Sequence, residues 1–393
     1  MKNVTVSRVG LYALLLMLGI AMSTWATRTP ALKDMLGAST EQMGLVLFGF
    51  ACGSMLGILA GGKFVKKFYV RFTMCIGAIS VISGLLVLVT VLFLPKQYIA
   101  FIGLFFIGFG SGLLDIAGNI ECCAIQNKMN KHLLSTLHGF FCIGTLSGSF
   151  ISLIVSFFNI TYEIHLFFVC IILICMAVFG ISLIKNASSE GINKKNDKKN
   201  NTFAQIKEKR IFLLCIVILG LALAEGAAND WLPLLMRDGH GFAESTGTLI
   251  YLVFTAGMAA GRLSAPIFLR HFKPEFLIIF SALFAAIGVS LAIFSNNSLL
   301  GGLSVLFWGL GASLGFPLVI SCASYGSIEE SNSRVTLVAT VGYIDFLVSP
   351  PFLGSLGGYF GLRYAMLPVL FMTLVSFVVA VIINKHANNL KNH

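Results

Sequence analysis

The sequence predicts an all-α membrane protein with twelve transmembrane helices in two pseudo-symmetric six-helix bundles. Of its 393 residues, 57% are apolar and only 11% are charged, whereas a soluble domain carries about 25% charged residues. The apolar runs are about 20 residues long and show no period-2 alternation, which favours helices over the strands of a membrane barrel. Because hydrocarbon cannot satisfy backbone polar groups, each run is expected to form a complete helix.

Polar breaks divide the apolar runs into twelve spans. The predicted spans are residues 8–28, 41–62, 72–94, 98–123, 133–158, 164–184, 211–236, 244–269, 275–295, 298–323, 335–357 and 363–384. A lysine-rich segment separates the first six from the last six. The predicted domains are therefore a bundle over 1–185, a basic cytoplasmic linker over 186–210 and a second bundle over 211–393.

Lysine and arginine residues predict the orientation. With both termini in the cytoplasm, 21 of the 27 basic residues fall in inner segments, five in outer segments and one, Arg262, within a span. Such an excess is typical of cytoplasmic loops. Topology and attraction to the lipid bilayer thus explain the net charge of +11, and no nucleic acid is expected as a partner. We expect a monomer in the bacterial inner membrane.

No pattern in the sequence calls for a cofactor, a metal or a disulfide framework. The nine cysteines all lie in apolar runs and lack metal-ligand spacing, so we interpret them as packing residues. No glycine loop followed by lysine and serine or threonine is present, which leaves ATP-driven transport unsupported. A membrane enzyme or sensor using His138 and a nearby cysteine is a remote alternative, since no oxyanion or metal arrangement accompanies them. We therefore predict that the chain is not an enzyme.

Fragments of the two halves match at an offset of about 200 residues. Gly108-Phe109-Gly110-Ser111 matches Gly309-Leu310-Gly311-Ala312, and Gly53 and Gly57 match Gly257 and Gly261. Parallel repeats of this kind predict a substrate site near the midplane, between the halves.

Over its whole length the chain resembles the major facilitator superfamily. The segment GGKFVKKFYVR, from Gly61 to Arg71, keeps the glycines and basic residues of a signature of that family but lacks its acid, which puts the associated conformational latch in doubt. The motifs GSGLLDIAGN, LHGFFCIGTLSG and AEGAANDWLP in spans 4, 5 and 7 resemble the YbjJ-like branch. The resemblance implies a carrier with two homologous halves.

Four ionisable residues within the spans are candidates for proton coupling: Asp115, Glu225, Asp345 and His138. Asp115 lies about 25 Å along a core of about 30 Å. A carboxylate there must face the protein interior or a wet cavity, where it serves either as a proton site or as a structural hydrogen-bonding group. Histidine titrates near neutral pH, and its alternative role is also structural. Beyond Asp345, Pro350-Pro351 should bend or break the helix.

Nine further residues are candidates for substrate binding: Asn119, Asn229, Asp230, Arg28, Trp25, Arg262, Tyr343, Phe316 and Trp308. Arg262 either recognises an anion or pairs with a carboxylate such as Asp345. Arg28 either binds substrate or snorkels to the outer interface.

The predicted function is secondary active transport of a small polar solute, such as a sugar derivative or an organic acid. Several buried acids and a histidine favour H⁺ as the coupling ion, with rocker-switch alternating access between the halves. The alternative is an H⁺-coupled antiporter that exports amphipathic compounds, which the Phe- and Met-rich composition favours.

Overall fold

The computed structural model describes residues 2–129, 133–185, 202–295, 297–324 and 328–389, and these contain helices but no strand. The helices are α1 (Lys2–Thr27), α2 (Thr29–Leu36), α3 (Thr40–Thr90), α4 (Gln97–Met129), α5 (Leu134–Phe157), α6 (Tyr162–Leu183), α7 (Lys209–Leu234), α8 (Glu244–Phe268), α9 (Pro274–Phe294), α10 (Ser298–Ala323), α11 (Ile328–Phe360), α12 (Leu362–Ala365) and α13 (Leu367–Asn389). A short 3-10 helix (Thr202–Lys207) precedes α7. Residues 186–201 of the predicted linker lie outside the described residues.

Eleven helical segments of the described residues are long and apolar enough to cross a membrane. One of them, α3, is 51 residues long and contains a break at Tyr69, where φ is 61° and ψ is 166°. That break lies between the predicted second and third spans, so α3 contains two of the twelve. The prediction of an all-helical membrane protein is confirmed, and the turn between these spans is shorter than expected.

The helices form two compact units. Unit 1 comprises residues 1–195 and 242–252, and unit 2 comprises residues 196–241 and 253–393. The first turns of α8 therefore belong to unit 1 and the rest of α8 to unit 2.

Glycines allow the helices of unit 1 to approach closely. A Cβ atom on Gly53 of α3 would overlap the Phe105 carbonyl of α4, and one on Gly108 of α4 would overlap the Phe50 carbonyl of α3. Small residues at such spacing bring helix backbones together without a hydrophobic driving force in lipid. These glycines are packing residues that fix the position of α4, which carries Asp115.

Unit 2 is packed in the same manner. A Cβ atom on Gly311 of α10 would overlap the backbone of Ala285 on α9, and one on Gly220 of α7 would overlap the Ser376 hydroxyl of α13. The helix α11 runs through Pro350 and Pro351 to Phe360, so the break considered from the sequence does not occur. Membrane helices tolerate proline because neighbouring groups satisfy the freed carbonyls.

Candidate functional site

The candidate residues fall on both units. Unit 1 carries Trp25, Arg28, Asp115, Asn119 and His138, and unit 2 carries Glu225, Asn229, Asp230, Arg262, Trp308, Phe316, Tyr343 and Asp345. Each unit contains a cluster of polar groups built on two or three helices. The two clusters differ in the groups that surround their carboxyl groups.

In unit 1, Asp115 of α4 is accompanied by an amide and an imidazole. The Asn119 side chain, one turn along α4, hydrogen-bonds to the Asp115 carboxyl, and His138 of α5 lies close enough to act on it electrostatically. Among the described residues, no lysine or arginine lies close enough to act electrostatically on the Asp115 carboxyl group. The sequence thus correctly predicted Asp115 and Asn119 on one helix face, and the fold adds His138 from α5.

The side-chain oxygen of Asn119 accepts no hydrogen bond from the described residues. This Oδ1 atom is buried. An amide that donates to a carboxyl group can still accept through its oxygen. This oxygen is therefore available to a hydroxyl or amine hydrogen.

At the C-terminal end of α1, Arg28 is buried rather than snorkelling, with 4% of its surface exposed. Its Nη1 lies 2.8 Å from Oε1 of Glu244 and 3.3 Å from the Ser156 hydroxyl, and its Nη2 donates to the Ile160 carbonyl at 2.8 Å. Glu244 retains 34% of its side-chain exposure, so the pair lies at the edge of the buried region. Nearby, Trp25 is 2% exposed and packs on Phe50 at 5.2 Å between ring centroids.

Sequence reasoning missed two residues near Arg28. Glu244 begins α8, about 216 positions from Arg28 along the chain, and no spacing rule relates them. His165 of α6 is 2% exposed, and neither of its ring nitrogens has a partner among the described residues. A histidine inside an apolar run was a signal that could have identified His165.

In unit 2, Glu225 and Arg262 form an ion pair. Oε1 of Glu225 on α7 lies 2.6 Å from Nη2 of Arg262 on α8, and Nε of Arg262 donates to the Ser313 carbonyl of α10 at 3.2 Å. The exposed fraction of the side chain is 13% for Glu225 and 23% for Arg262. Because a charged pair in a span is costly against lipid, it is expected to face the protein interior or a water-filled cavity. Of the two alternatives for Arg262, the ion pair is the one formed, with Glu225 rather than Asp345.

The two other candidate acids of unit 2, Asp345 and Asp230, form no such ion pair among the described residues. Asp345 of α11 has a buried Oδ2 without a partner among the described residues, as does the hydroxyl of Ser349 one turn later. A Cβ on Gly226 of α7 would lie 3.5 Å from that hydroxyl, so this stripe of α11 faces α7. Asp230 on α7 is 9% exposed, and Asn229 beside it is half-buried.

Among the aromatic candidates, Trp308 is a buried packing residue, whereas Phe316 and Tyr343 form a pair. Trp308 is fully buried, donates its indole N–H to the Ala224 carbonyl at 2.8 Å and packs edge-on against Phe254. Phe316 and Tyr343 lie 5.5 Å apart between ring centroids and are both half-buried. Trp308 therefore holds α10 against α7, and the Phe316–Tyr343 pair is the one with surface to offer a ligand.

No group of three or more histidine, cysteine or acidic residues that could hold a metal occurs in the part of the chain that the structure describes. The arrangement thus consists of proton-titratable and hydrogen-bonding groups within helices.

Comparison with known proteins agrees with this architecture. Residues 10–344 match the family model of the Major Facilitator Superfamily. The chain is 25% identical over 338 residues to an uncharacterised MFS-type transporter of Yersinia pestis, covering 86% of this chain and 85% of the relative. It is 23% identical to the membrane protein MosC of Rhizobium meliloti, covering 94% of this chain and 88% of the relative.

Two solved structures share the fold at low sequence identity. The nucleoside transporter NupG (D323A mutant) aligns with a TM-score of 0.77 at 13% identity, over 96% of this chain and 99% of that one. A D-xylose–proton symporter aligns with a TM-score of 0.73 at 14% identity, over 96% of each chain. The match of the family model over most of the chain shows that this protein belongs to the Major Facilitator Superfamily and is a transporter.

Proposed function

We propose that the chain is an H⁺-coupled secondary transporter of a small polar solute, working by rocker-switch alternating access, with Asp115 as its principal proton site. The observation that carries the proposal is the surroundings of Asp115: an amide from Asn119, an imidazole from His138 and, among the described residues, no lysine or arginine partner. A structural carboxylate in a span is normally paired with a cation. Asp115 has no lysine or arginine partner among the described residues, so a proton, on its own carboxyl group or on His138, is the available means of neutralising it.

The neighbours of Asp115 suit both protonation states. As a carboxylate, Asp115 accepts a hydrogen bond from the Asn119 amide, and as an acid it can donate its own hydrogen to an amide oxygen. An imidazole ring has one nitrogen that donates and one that accepts a hydrogen bond, so under this proposal His138 is the relay for the proton of Asp115. Alternating exposure to the two aqueous phases would then load and release the proton.

The similar structures support proton coupling in this fold. Two of them are described as a D-xylose–proton symporter and a fucose–proton symporter. In unit 2, Asp345 is a second proton site under this proposal, since its Oδ2 also lacks a partner. The proposal further places both termini in the cytoplasm and the chain, as a monomer, in the inner membrane.

Proteoliposomes holding the purified full-length protein test the proposal. Under an imposed pH gradient, with a panel of polar solutes outside, the wild type should accumulate its solute above equilibrium. Asp115→Asn keeps the shape of the side chain but cannot carry the proton, so accumulation should fall at least tenfold while downhill exchange persists. The control is Asp238→Asn, which alters an exposed acid bonded to Arg237 at 2.6 Å.

Two results would contradict the proposal. Full gradient-driven accumulation by Asp115→Asn would remove the proton role from this residue. Outward movement of amphipathic compounds, with no uptake of any polar solute, would instead favour the antiporter alternative.

A further inference from the structure

We infer that the turn within α3 binds the phosphate group of an anionic phospholipid, with an acyl chain of that lipid lying along the exposed apolar surface of the same helix. All the residues concerned belong to unit 1, and the site goes beyond the proposed transport reaction. It is built on four cations within nine positions, which we call the basic turn: Lys63, Lys66, Lys67 and Arg71.

The lysines of the basic turn have no acidic partner. The sequence contains no aspartate or glutamate between Glu41 and Asp115. All three lysine side chains are exposed, and none forms a salt bridge with a carboxylate of the described residues. Lys67 lies instead over the Phe68 ring, with Nζ 5.0 Å from the ring centroid. Because like charges three and four residues apart destabilise a helix, an anion shared between these lysines is favourable.

The backbone of α3 fixes the side of the turn on which these lysines lie. Val65 and Val70 are 2% and 0% exposed, so they anchor the turn to the core from both sides of the break at Tyr69. The φ of 61° at Tyr69 is rare for a residue other than glycine, and its carbonyl accepts a hydrogen bond from the Thr73 hydroxyl at 2.8 Å. The cations are therefore presented by an anchored segment of backbone.

An exposed apolar surface leads along α3 to the basic turn. Leu56 and Leu59 are 50% and 61% exposed. Helical spacing places on one face of α3, in order, Leu56, Leu59, Lys63 and Lys66. A Cβ atom on Gly62, beside Lys63, would meet no atom within 4 Å, so the surface there is open. Leucines followed by lysines match a molecule with a hydrocarbon chain and an anionic head group, because long basic side chains near the end of a span reach the level of the head groups.

The second half of the chain does not repeat this arrangement. At the offset that relates the glycines of the two halves, Lys66 corresponds to Arg270, but Arg71 corresponds to Glu275. Glu275 pairs with Arg210 at 3.0 Å. The preference of basic residues for cytoplasmic turns applies to both positions, whereas a cluster of four cations next to a span is typical of a site for anionic head groups.

Thermal unfolding of the purified full-length protein in detergent tests the choice of lipid. Phosphatidylglycerol should raise Tm by a few degrees and phosphatidylcholine should not, because a ligand stabilises the state that binds it. Raising the salt concentration from about 0.1 M to about 1 M should reduce the effect, since the lysines are exposed and salt screens their charges. Inorganic phosphate should have no effect, because it lacks the hydrocarbon chain that the leucines contact.

Substitutions test the position of the site. In a titration with fluorescently labelled phosphatidylglycerol, Lys63→Gln/Lys66→Gln should raise the Kd about tenfold, because each cation near a head group contributes to binding. The matched control is Arg270→Gln/Lys273→Gln, which removes the same charge from exposed residues of unit 2 and should leave the Kd within about twofold of the wild type. Lys63→Arg/Lys66→Arg keeps the charges and should bind as the wild type does.

Three results would overturn the inference. Equal stabilisation by the two lipids would show that head-group charge has no part in binding. Equal losses in Lys63→Gln/Lys66→Gln and its control would show that net charge matters rather than the basic turn. Stabilisation by inorganic phosphate would remove the lipid as the occupant. If Lys63→Gln/Lys66→Gln does not fold, Lys63→Gln alone, measured against Arg270→Gln, decides; none of these measurements depends on transport.

Discussion

Asp115 in unit 1 and Glu225 in unit 2 are both acids within membrane-spanning helices, yet their surroundings differ. Asp115 has an amide and an imidazole as neighbours, whereas Glu225 lies 2.6 Å from the guanidinium of Arg262. A carboxylate beside a cation keeps its charge, and one without a cation is stabilised by taking up a proton. The comparison teaches that an acid in a span is not by itself a proton site. The group beside it determines whether the acid has a structural role in an ion pair or can take up and release a proton.

The largest expected effect comes from removing the cation of the unit 2 pair. Arg262→Gln leaves the Glu225 carboxyl group without its partner in a largely buried position, and breaking such a pair costs about 3–5 kcal/mol. We expect a marked fall in Tm and in the yield of folded protein. Because the cost comes from one member of the pair left unpaired, the double variant Glu225→Gln/Arg262→Gln should recover much of the Tm; a double variant as unstable as the single one would show that the pair is not the cause.

An intermediate effect on stability is expected when Asp115 and Glu225 are each replaced by the corresponding amide. Asp115→Asn replaces an acid that has no lysine or arginine partner among the described residues, so its effect on the free energy of unfolding should stay below about 1 kcal/mol. Glu225→Gln removes the partner of Arg262 and should lower Tm clearly more. Thermal unfolding of both variants in the same detergent measures the difference, and equal losses would contradict the comparison.

The smallest expected effect is on the pH dependence of stability and comes from His240, a base that lies near Arg363. His240, between α7 and α8, contacts the Ala292 carbonyl at 2.8 Å through Nε2. Burial, and to a lesser extent the nearby Arg363, lower the pKa of His240, although the carbonyl contact acts in the opposite direction. A cation therefore supports an acid such as Glu225 but opposes the charging of a base.

The sign of the pH effect follows from that lowered pKa. Neutral His240 contributes stability above its unfolded pKa of about 6.5, and this contribution is lost as the pH falls below that value. Between pH 7.5 and 5 the wild-type Tm should drop a few degrees more than that of His240→Gln. Parallel curves for the two proteins would show that His240 makes no such contribution.

Part of the candidate site was predictable from the sequence because it lies on single helices. Asp115 and Asn119 are four residues apart, which places them on one face, and the Asn119 side chain does bond to Asp115. The other partners come from distant positions: His138 from α5, Arg262 from α8 and Glu244 from the start of α8. Periodicity relates residues within one helix and carries no information about which helices pack together.

The sequence alone determined the helical membrane fold, the positions of the spans and the residues that are ionisable within them. These follow from local physics, since hydrocarbon requires complete helices and penalises charge wherever the chain enters it. Only the tertiary structure decided that Arg262 is balanced by Glu225 and Arg28 by Glu244, that Trp308 is a packing residue, and that Asp115 has no lysine or arginine partner within the part of the chain that the structure describes. Those outcomes depend on which side chains the packed helices bring within hydrogen-bonding distance, and a contact of about 3 Å between distant segments leaves no trace in the order of the residues.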